Sequence, residues 1–263
     1  MKKAMMYLLL ALGITLVVMF IGGAMVGLIA GFIDGFCGNE LGSTTSMSVM
    51  VYAGSTSLIL LSIILNWVFI KLGFAKYSLG RIPKQNSVRI KVAAGMILAM
   101  AGLAVVQFMM MDVSKNFEGG SVLRESYAWM CQHPIYSILI LIIIEATGNL
   151  VIYGAILREI LEWKHRPVIV IPVFAGVMAV SCIIGGEPML LLPSMIMALF
   201  EGWVYEYTRS IIPLIIGDVA FWVVMLCLAG IPTHGWWFII AAVVAIPGIL
   251  LALNPMEPYK PID

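Results

Sequence analysis

Long, nearly uninterrupted apolar blocks recur along the whole chain and constrain its fold more than any other feature. A helix needs about 20 predominantly apolar residues to cross the hydrocarbon core of a bilayer, and the blocks approach or exceed that length. They do not alternate with the period of two that is typical of membrane strands. The sequence therefore predicts an all-α, polytopic membrane helix bundle.

Composition agrees with this prediction, because 62% of the residues are hydrophobic and only 11% are charged. Soluble domains are nearer half apolar and a quarter charged. The segment 185–188 separates the fifth block from the sixth, so we predict two spans there, with one broken helix or a re-entrant pair as the alternative. The eight predicted spans, all in a single membrane domain covering 1–263, are 4–32, 47–70, 92–110, 135–157, 168–184, 189–205, 211–228 and 236–253.

The distribution of basic residues predicts the orientation. The loop 71–91 carries six basic residues and no acidic one, which places it on the cytoplasmic side. Lys2 and Lys3 precede the first span, which we expect to be uncleaved, and agree with that orientation. Both termini are then cytoplasmic, in a plasma membrane such as the bacterial inner membrane. A net charge of +1 offers no basic face for nucleic acid, so the bilayer is the first expected partner.

Four polar residues fall inside predicted spans. A charge in the middle of a membrane helix costs roughly 2.5–3.5 kcal/mol, so such residues usually face the protein interior and often mark function. We expect an intramembrane polar site, with structural hydrogen-bonded carboxyls, or a Glu201 that reaches the headgroups, as the alternatives. The candidates are Glu145, Asn149, Glu201 and Asp218.

The sequence offers little to bind a metal or a cofactor. The three histidines, His133, His165 and His234, lie in loops or at loop edges, and the paired cysteines or histidines of ordinary zinc sites do not occur in the spans. We therefore expect no metal and no cofactor. Cys37 and Cys131 both fall in predicted outside loops, where a disulfide can persist, with two unrelated thiols as the alternative.

Two segments carry a resemblance to a known family. Residues 152–161 read Ile-Tyr-Gly-Ala-Ile-Leu-Arg-Glu-Ile-Leu, and 205–213 read Tyr-Glu-Tyr-Thr-Arg-Ser-Ile-Ile-Pro. These segments resemble the Phe-Arg-Gly block with its aliphatic tail and the Tyr-x-x-Thr-Gly-Ser segment of the CPBP family. That family comprises intramembrane metalloproteases, including CAAX-processing and bacteriocin-related enzymes. The resemblance covers about 139–228 and implies a CPBP-like, eight-span architecture.

The resemblance does not extend to the family's catalytic residues. Its paired glutamates, its arginine, its two histidines and its asparagine all fall on substituted positions. A metal-activated water needs ligands and a proton acceptor, and these positions do not supply them. The substituted positions are Gly148, Asn149, Tyr153, Gly185, Gly217 and Phe221.

Three functions follow as hypotheses. The first is a non-catalytic pseudoprotease that binds another membrane protein or a lipidated peptide. The second is a small-molecule or proton-coupled transporter that uses Glu145, Asn149 and Asp218 as a polar path. The third is an active CPBP-type endopeptidase with atypical ligands. Because the family's Glu/His/Asn site is missing, the sequence favours a protein that is not an enzyme.

The orientation can be tested with reporters fused after Arg81. Six basic residues within 71–91 predict that this point lies in the cytoplasm, where a cytoplasm-dependent reporter is active and a periplasm-dependent one is silent. A fusion within 112–133 is the matched control and should give the opposite result. Activity of the periplasmic reporter at Arg81 would reverse the whole predicted topology.

Overall fold

A computed structural model describes residues 2–37, 44–72, 86–114, 127–128, 130–164, 166–184 and 188–253. Helices account for most of these residues, and no strand occurs among them. The prediction of an all-α chain is therefore confirmed. Short turns and bends connect the helices where the connections are described.

Eight main helices make up the described part of the chain. The fourth is continuous but changes its winding, from an α-helical segment Pro134–Asn149 through a π-helical segment Leu150–Leu157 to an α-helical segment Arg158–Lys164, and we call all three α4. A single 3₁₀ turn, Pro188–Leu190, precedes the sixth helix. The others are α1 (Lys2–Cys37), α2 (Thr44–Lys71), α3 (Asn86–Ser114), α5 (Pro167–Ile184), α6 (Leu191–Thr208), α7 (Ile212–Cys227) and α8 (Trp237–Leu253).

Three stretches within these helices are long and apolar enough to cross a membrane: Ile90–Met111, Pro134–Trp163 and Pro188–Thr208. This is fewer than the eight spans predicted, although every predicted span coincides with a helix. For α7 and α8 the difference is one of length. Helix α7 has 16 residues and α8 has 17, so at 1.5 Å per residue each is about 24–26 Å long, against a hydrocarbon core of about 30 Å.

The fifth and sixth predicted spans are two separate helices. Helix α5 ends at Ile184 and the 3₁₀ turn before α6 begins at Pro188, and residues 185–187 lie outside the described part of the chain. Helices α5 and α6 pack extensively against each other. Pro193 lies in the first turn of α6, where the missing N–H of proline has no intrahelical partner to lose.

Helix α3 lies between α7 and α8 and contacts both over much of its length. Its packing against α8 depends on glycine. A Cβ atom at Gly248 would lie 2.3 Å from the backbone nitrogen of Ala99, and one at Gly95 would lie 2.4 Å from the backbone nitrogen of Ala252. The two backbones therefore approach as closely as small residues allow, which is a common way for helices to associate in lipid.

A second glycine-rich stripe lies on α1, and the surroundings of two of its glycines, Gly27 and Gly31, are described. Gly23, Gly27 and Gly31 form a small-residue ridge in the sequence, which predicts close packing within the chain. A Cβ atom at Gly27 or Gly31 would meet no atom of the described residues within 4 Å, so the predicted close packing is not found at these two positions in the part of the chain that the structure describes. Helix α1 instead packs against α2, where Tyr7 and Phe69 make an edge-to-face ring contact.

The chain before α4 is attached to α7. The hydroxyl of Tyr127 donates a 2.6 Å hydrogen bond to the carbonyl oxygen of Met225. Burial raises the pKa of the Cys131 thiol, and a hydrogen bond with Tyr127 lowers it in part. Cys131 is a free thiol here, and the side chain of Cys37 lies outside the described part of the chain. The Cys37–Cys131 bridge therefore stays a prediction.

The glycine contact between α3 and α8 gives a stability prediction. Gly248→Ala should lower the free energy of unfolding by about 2–3 kcal/mol, because the new Cβ would overlap backbone atoms of α3 that cannot move independently. Gly176→Ala, where a Cβ meets nothing within 4 Å, should be neutral or stabilising by up to about 1 kcal/mol. Unfolding in mixed micelles measures both, and equal stabilities would contradict the proposed role of this contact.

Candidate functional site

One face of α4 carries three polar side chains at intervals of four residues: Glu145, Asn149 and Tyr153. Four residues exceed one turn of an α-helix, which has 3.6 residues, but fall short of the wider turn of a π-helix. The π-helical segment begins directly after Asn149. The step from Glu145 to Asn149 turns slightly more than one α-helical turn, and the step from Asn149 to Tyr153 turns slightly less than one π-helical turn. These two rotations oppose each other, so all three side chains line the same cavity.

Asn149 and Asp218 connect α4 to α7. The Asn149 amide Nδ2 donates a 2.5 Å hydrogen bond to Oδ2 of Asp218. Both side chains are buried. Because a buried carboxyl without a donor is costly, this contact constrains the separation of the two helices at this level.

Tyr153 connects the same face of α4 to α6. Its hydroxyl donates a 2.5 Å hydrogen bond to Oε2 of Glu201. The ring of Tyr153 makes an edge-to-face contact with Phe174 on α5. Glu201 is only 4% exposed, so it does not reach the surface as the alternative from sequence would require.

Glu145 is less enclosed than the other two carboxyl groups but also has a donor. Trp222 on α7 donates a 2.8 Å hydrogen bond from its indole Nε1 to Oε1 of Glu145. Trp222 lies four residues after Asp218, so the two side chains share one face of α7. Each of the three carboxyl groups thus accepts a hydrogen bond from a residue on another helix.

The turn between α6 and α7 brings Glu201 and Asp218 together. Glu201 lies eight residues before Arg209 and Asp218 lies eight after Ser210, so both are about 12 Å along their helices from the turn. Arg209 ends α6 in the left-handed conformation at φ 49°. The side chain of Thr208 caps the turn by accepting a 3.2 Å hydrogen bond from the Ser210 N–H.

The carboxyl groups of Glu201 and Asp218 are both buried and line one cavity. The Oε1 atom of Glu201 is buried and has no hydrogen-bond partner among the described residues. Glu201 is therefore incompletely satisfied by the described residues.

These groups surround a cavity of about 220 Å³ between α3, α4, α5, α6 and α7, which we call the polar cavity. It brings together all four residues that the sequence nominated. No Lys, Arg or His of the described residues lines it. Its lining comprises Gln107, Glu145, Gly148, Asn149, Ile152, Tyr153, Met178, Cys182, Ser194, Met197, Ala198, Glu201, Asp218, Phe221 and Trp222.

A larger cavity of about 510 Å³ adjoins it, bounded by α1, α2, α4 and α5, and we call this the apolar chamber. Its polar lining residues are Ser62 and Thr147. Thr147 accepts a 2.6 Å hydrogen bond from Asn66 and donates one to the carbonyl oxygen of Ile143. The residues common to both cavities are Gly148, Ile152 and Met178.

Four of the six positions that the CPBP resemblance assigns to catalytic residues line the polar cavity. Gly217 packs against α3, where an added Cβ would lie 2.7 Å from Cε of Met96, and Gly185 lies outside the described part. The others line the polar cavity: Gly148, Asn149, Tyr153 and Phe221. Among the described residues, no group of three or more His, Cys, Asp or Glu side chains is arranged to hold a metal ion.

Trp222 and Gln107 are among the residues of the polar cavity that were missed from the sequence. Trp222 could have been found from its four-residue spacing to Asp218, which puts both on one helix face. Gln107 is a lone amide within the apolar run of α3, and a search restricted to ionisable residues passes over it. Tyr153 was noted only as a substituted position, although its hydroxyl is a donor to Glu201.

The Tyr153–Glu201 contact predicts a measurable coupling. Tyr153→Phe should lower the free energy of unfolding by about 1–3 kcal/mol, because it leaves a buried carboxyl without its hydroxyl donor. In a Glu201→Leu background the same change should cost much less, since donor and acceptor are then both absent. A double-mutant cycle measured in mixed micelles should give an interaction of at least about 0.5 kcal/mol. Strictly additive effects would refute the contact.

Comparisons with known proteins give this chain no assignment: no family model, no curated protein and no solved structure matches it. The resemblance to the CPBP family therefore rests on the two sequence segments around Tyr153 and Thr208 alone. Any function must be argued from the two cavities and the residues that line them.

Proposed function

We propose that this chain is a non-catalytic membrane protein of CPBP-like architecture that binds a segment of another membrane protein or a lipidated peptide. The observation that carries the proposal is the content of the polar cavity. Four positions matched to the family's catalytic residues line it, together with three carboxyl groups and no histidine among the described residues. A cavity of this kind favours binding over metal-dependent hydrolysis, because imidazole ligands are lacking.

The apolar chamber supports a ligand with a hydrocarbon part. Apart from two hydroxyl side chains, its lining is aliphatic or aromatic, and its volume of about 510 Å³ is that of a small-molecule site. Val173 and Val177 line it and are themselves 62% and 67% exposed. The chamber therefore reaches the outer surface of the bundle on α5, where a chain could enter from the surrounding lipid.

The proposal includes an eight-span topology in a bacterial inner membrane with cytoplasmic termini. Each predicted span coincides with a helix. The shorter helices can span if the bilayer thins locally or if flanking residues extend to the interface. The basic loop 71–91 supports the orientation.

A proton-coupled carrier is the second candidate. The burial of the Glu201 and Asp218 carboxyl groups in one cavity favours it, because neighbouring buried carboxyl groups can hold and release a proton. Buried carboxyls of this kind are common in the proton relays of transporters. The two candidates differ in what crosses the membrane, and this can be measured.

A photoreactive prenylated peptide tests the proposal. Protein in lipid nanodiscs should crosslink to the diazirine on the prenyl chain saturably, through peptides of α2, α4 and α5 that line the apolar chamber. The peptide should be recovered uncleaved, and purified protein should contain less than stoichiometric zinc. Val173→Trp, at the chamber's outer wall, should reduce crosslinking to the level seen with excess unlabelled peptide. Val180→Trp is the matched control, since Val180 is exposed on the same helix but does not line the chamber.

Three results would contradict the proposal. One tightly bound zinc per chain, with cleavage of the peptide, would indicate an active endopeptidase. Solute uptake driven by a proton gradient in proteoliposomes, lost in Asp218→Asn, would indicate the carrier. Crosslinking that is unaffected by Val173→Trp would show that the apolar chamber is not the binding site.

A further inference from the structure

The polar cavity contains acidic groups without a cationic partner. Three carboxyl groups line it, and no Lys, Arg or His of the described residues does. Their hydrogen-bond donors are the neutral side chains of Trp222, Asn149 and Tyr153. Neutral donors compensate only part of the charge of a buried carboxylate, and buried charges are ordinarily paired.

Glu201 provides a second, independent observation. It is 4% exposed, it lines the polar cavity, and its Oε1 atom has no hydrogen-bond partner among the described residues. Buried polar atoms are nearly always satisfied in native proteins, so an exception requires an explanation such as a missing ligand. A ligand that donates hydrogen bonds and carries positive charge would satisfy Oε1 and balance the acidic cluster together.

The apolar chamber begins where the polar cavity ends. Gly148, Ile152 and Met178 line both. A Cβ atom at Gly148 would meet nothing within 4 Å, so there is open space at this boundary. One molecule can therefore extend from the carboxyl groups past Gly148 into the chamber.

The polar end of the ligand determines which molecules such a site binds. A hydrocarbon chain gains little when it moves from lipid tails into an apolar chamber, because both surroundings are equally apolar. A cation beside carboxylates gains far more in a medium of low dielectric constant than in water. The chamber positions the chain, and the polar cavity decides which molecules bind.

We propose that the two cavities form one site for a cationic amphiphile. Its ammonium or guanidinium group lies among Glu145, Glu201 and Asp218, and its single apolar chain passes Gly148 into the chamber. An ammonium group has three N–H donors, one of which can reach Glu201 Oε1. The inference rests on the proposed function for the chamber and adds the charge of the ligand's polar end.

Binding of radiolabelled n-dodecylammonium to protein in zwitterionic nanodiscs tests the inference, with empty nanodiscs to subtract partitioning into lipid. Binding should saturate, and neither dodecanoate nor dodecanol should compete for it. Glu201→Gln should weaken it by about tenfold or more, since a charge-assisted hydrogen bond is lost. Glu145→Gln should weaken it in the same direction and provides a second variant if the first does not fold by circular dichroism.

Substitution of Gly148 tests the connection between the two cavities. Gly148→Leu should abolish binding of dodecylammonium by filling the open space at the boundary without displacing backbone. Gly176→Leu is the matched control, because it also adds a side chain to open space on a helix but lines neither cavity. Binding that survives Gly148→Leu, or n-butylammonium binding as tightly as dodecylammonium, would overturn the two-part site.

Failure of this inference is distinguishable from failure of the proposed function. If the prenylated peptide crosslinks in the chamber but dodecylammonium does not bind, or dodecanol competes equally, the cationic end is refuted and the proposed function stands. If dodecylammonium binds and Gly148→Leu abolishes binding while the peptide fails to crosslink, the amphiphile site stands and the peptide ligand is refuted.

Discussion

A carboxyl group inside an apolar bundle needs a donor, and this requirement organises the centre of the molecule. Asp218, Glu201 and Glu145 take their donors from Asn149, Tyr153 and Trp222. Each contact joins α4 to α6 or α7, so three hydrogen bonds connect helices that are distant in sequence. Leaving one buried group unpaired costs about 1–3 kcal/mol, more than a typical apolar contact contributes. The positions of α4, α6 and α7 are therefore mutually dependent.

Glycine packing and the π-helical segment make these contacts possible. Gly95 and Gly248 allow α3 and α8 to touch at backbone distance, and Gly217 allows α7 to approach the methionines of α3. With α7 held against α3, Asp218 faces α4. The π-helical segment after Asn149 then keeps Tyr153 on the face that Glu145 and Asn149 occupy. Segments of this kind occur frequently at functional sites.

The residues that line the polar cavity limit the chemistry available in it. Histidine nitrogens hold zinc and let it activate water, whereas carboxyl groups with amide and hydroxyl donors attract cations and protons. Asn149, Tyr153 and Asp218 provide a polar centre, and Gly148 leaves an opening towards the apolar chamber. This arrangement is the basis on which we propose an amphiphile site, with a proton-coupled carrier as the second candidate.

The sequence by itself determined the helical class, the location of all eight helices and the four polar residues, because apolar blocks and rare intramembrane charges are local signals. It could not determine which helices are long enough to span, because turns and contacts with neighbouring helices set where α7 and α8 end. Only the tertiary structure decided that Glu201 faces Tyr153, and that Gly248 touches Ala99 while Gly27 has open space beside it among the described residues. Those outcomes depend on which helix lies opposite, and the sequence of one helix does not specify which helix will pack against it.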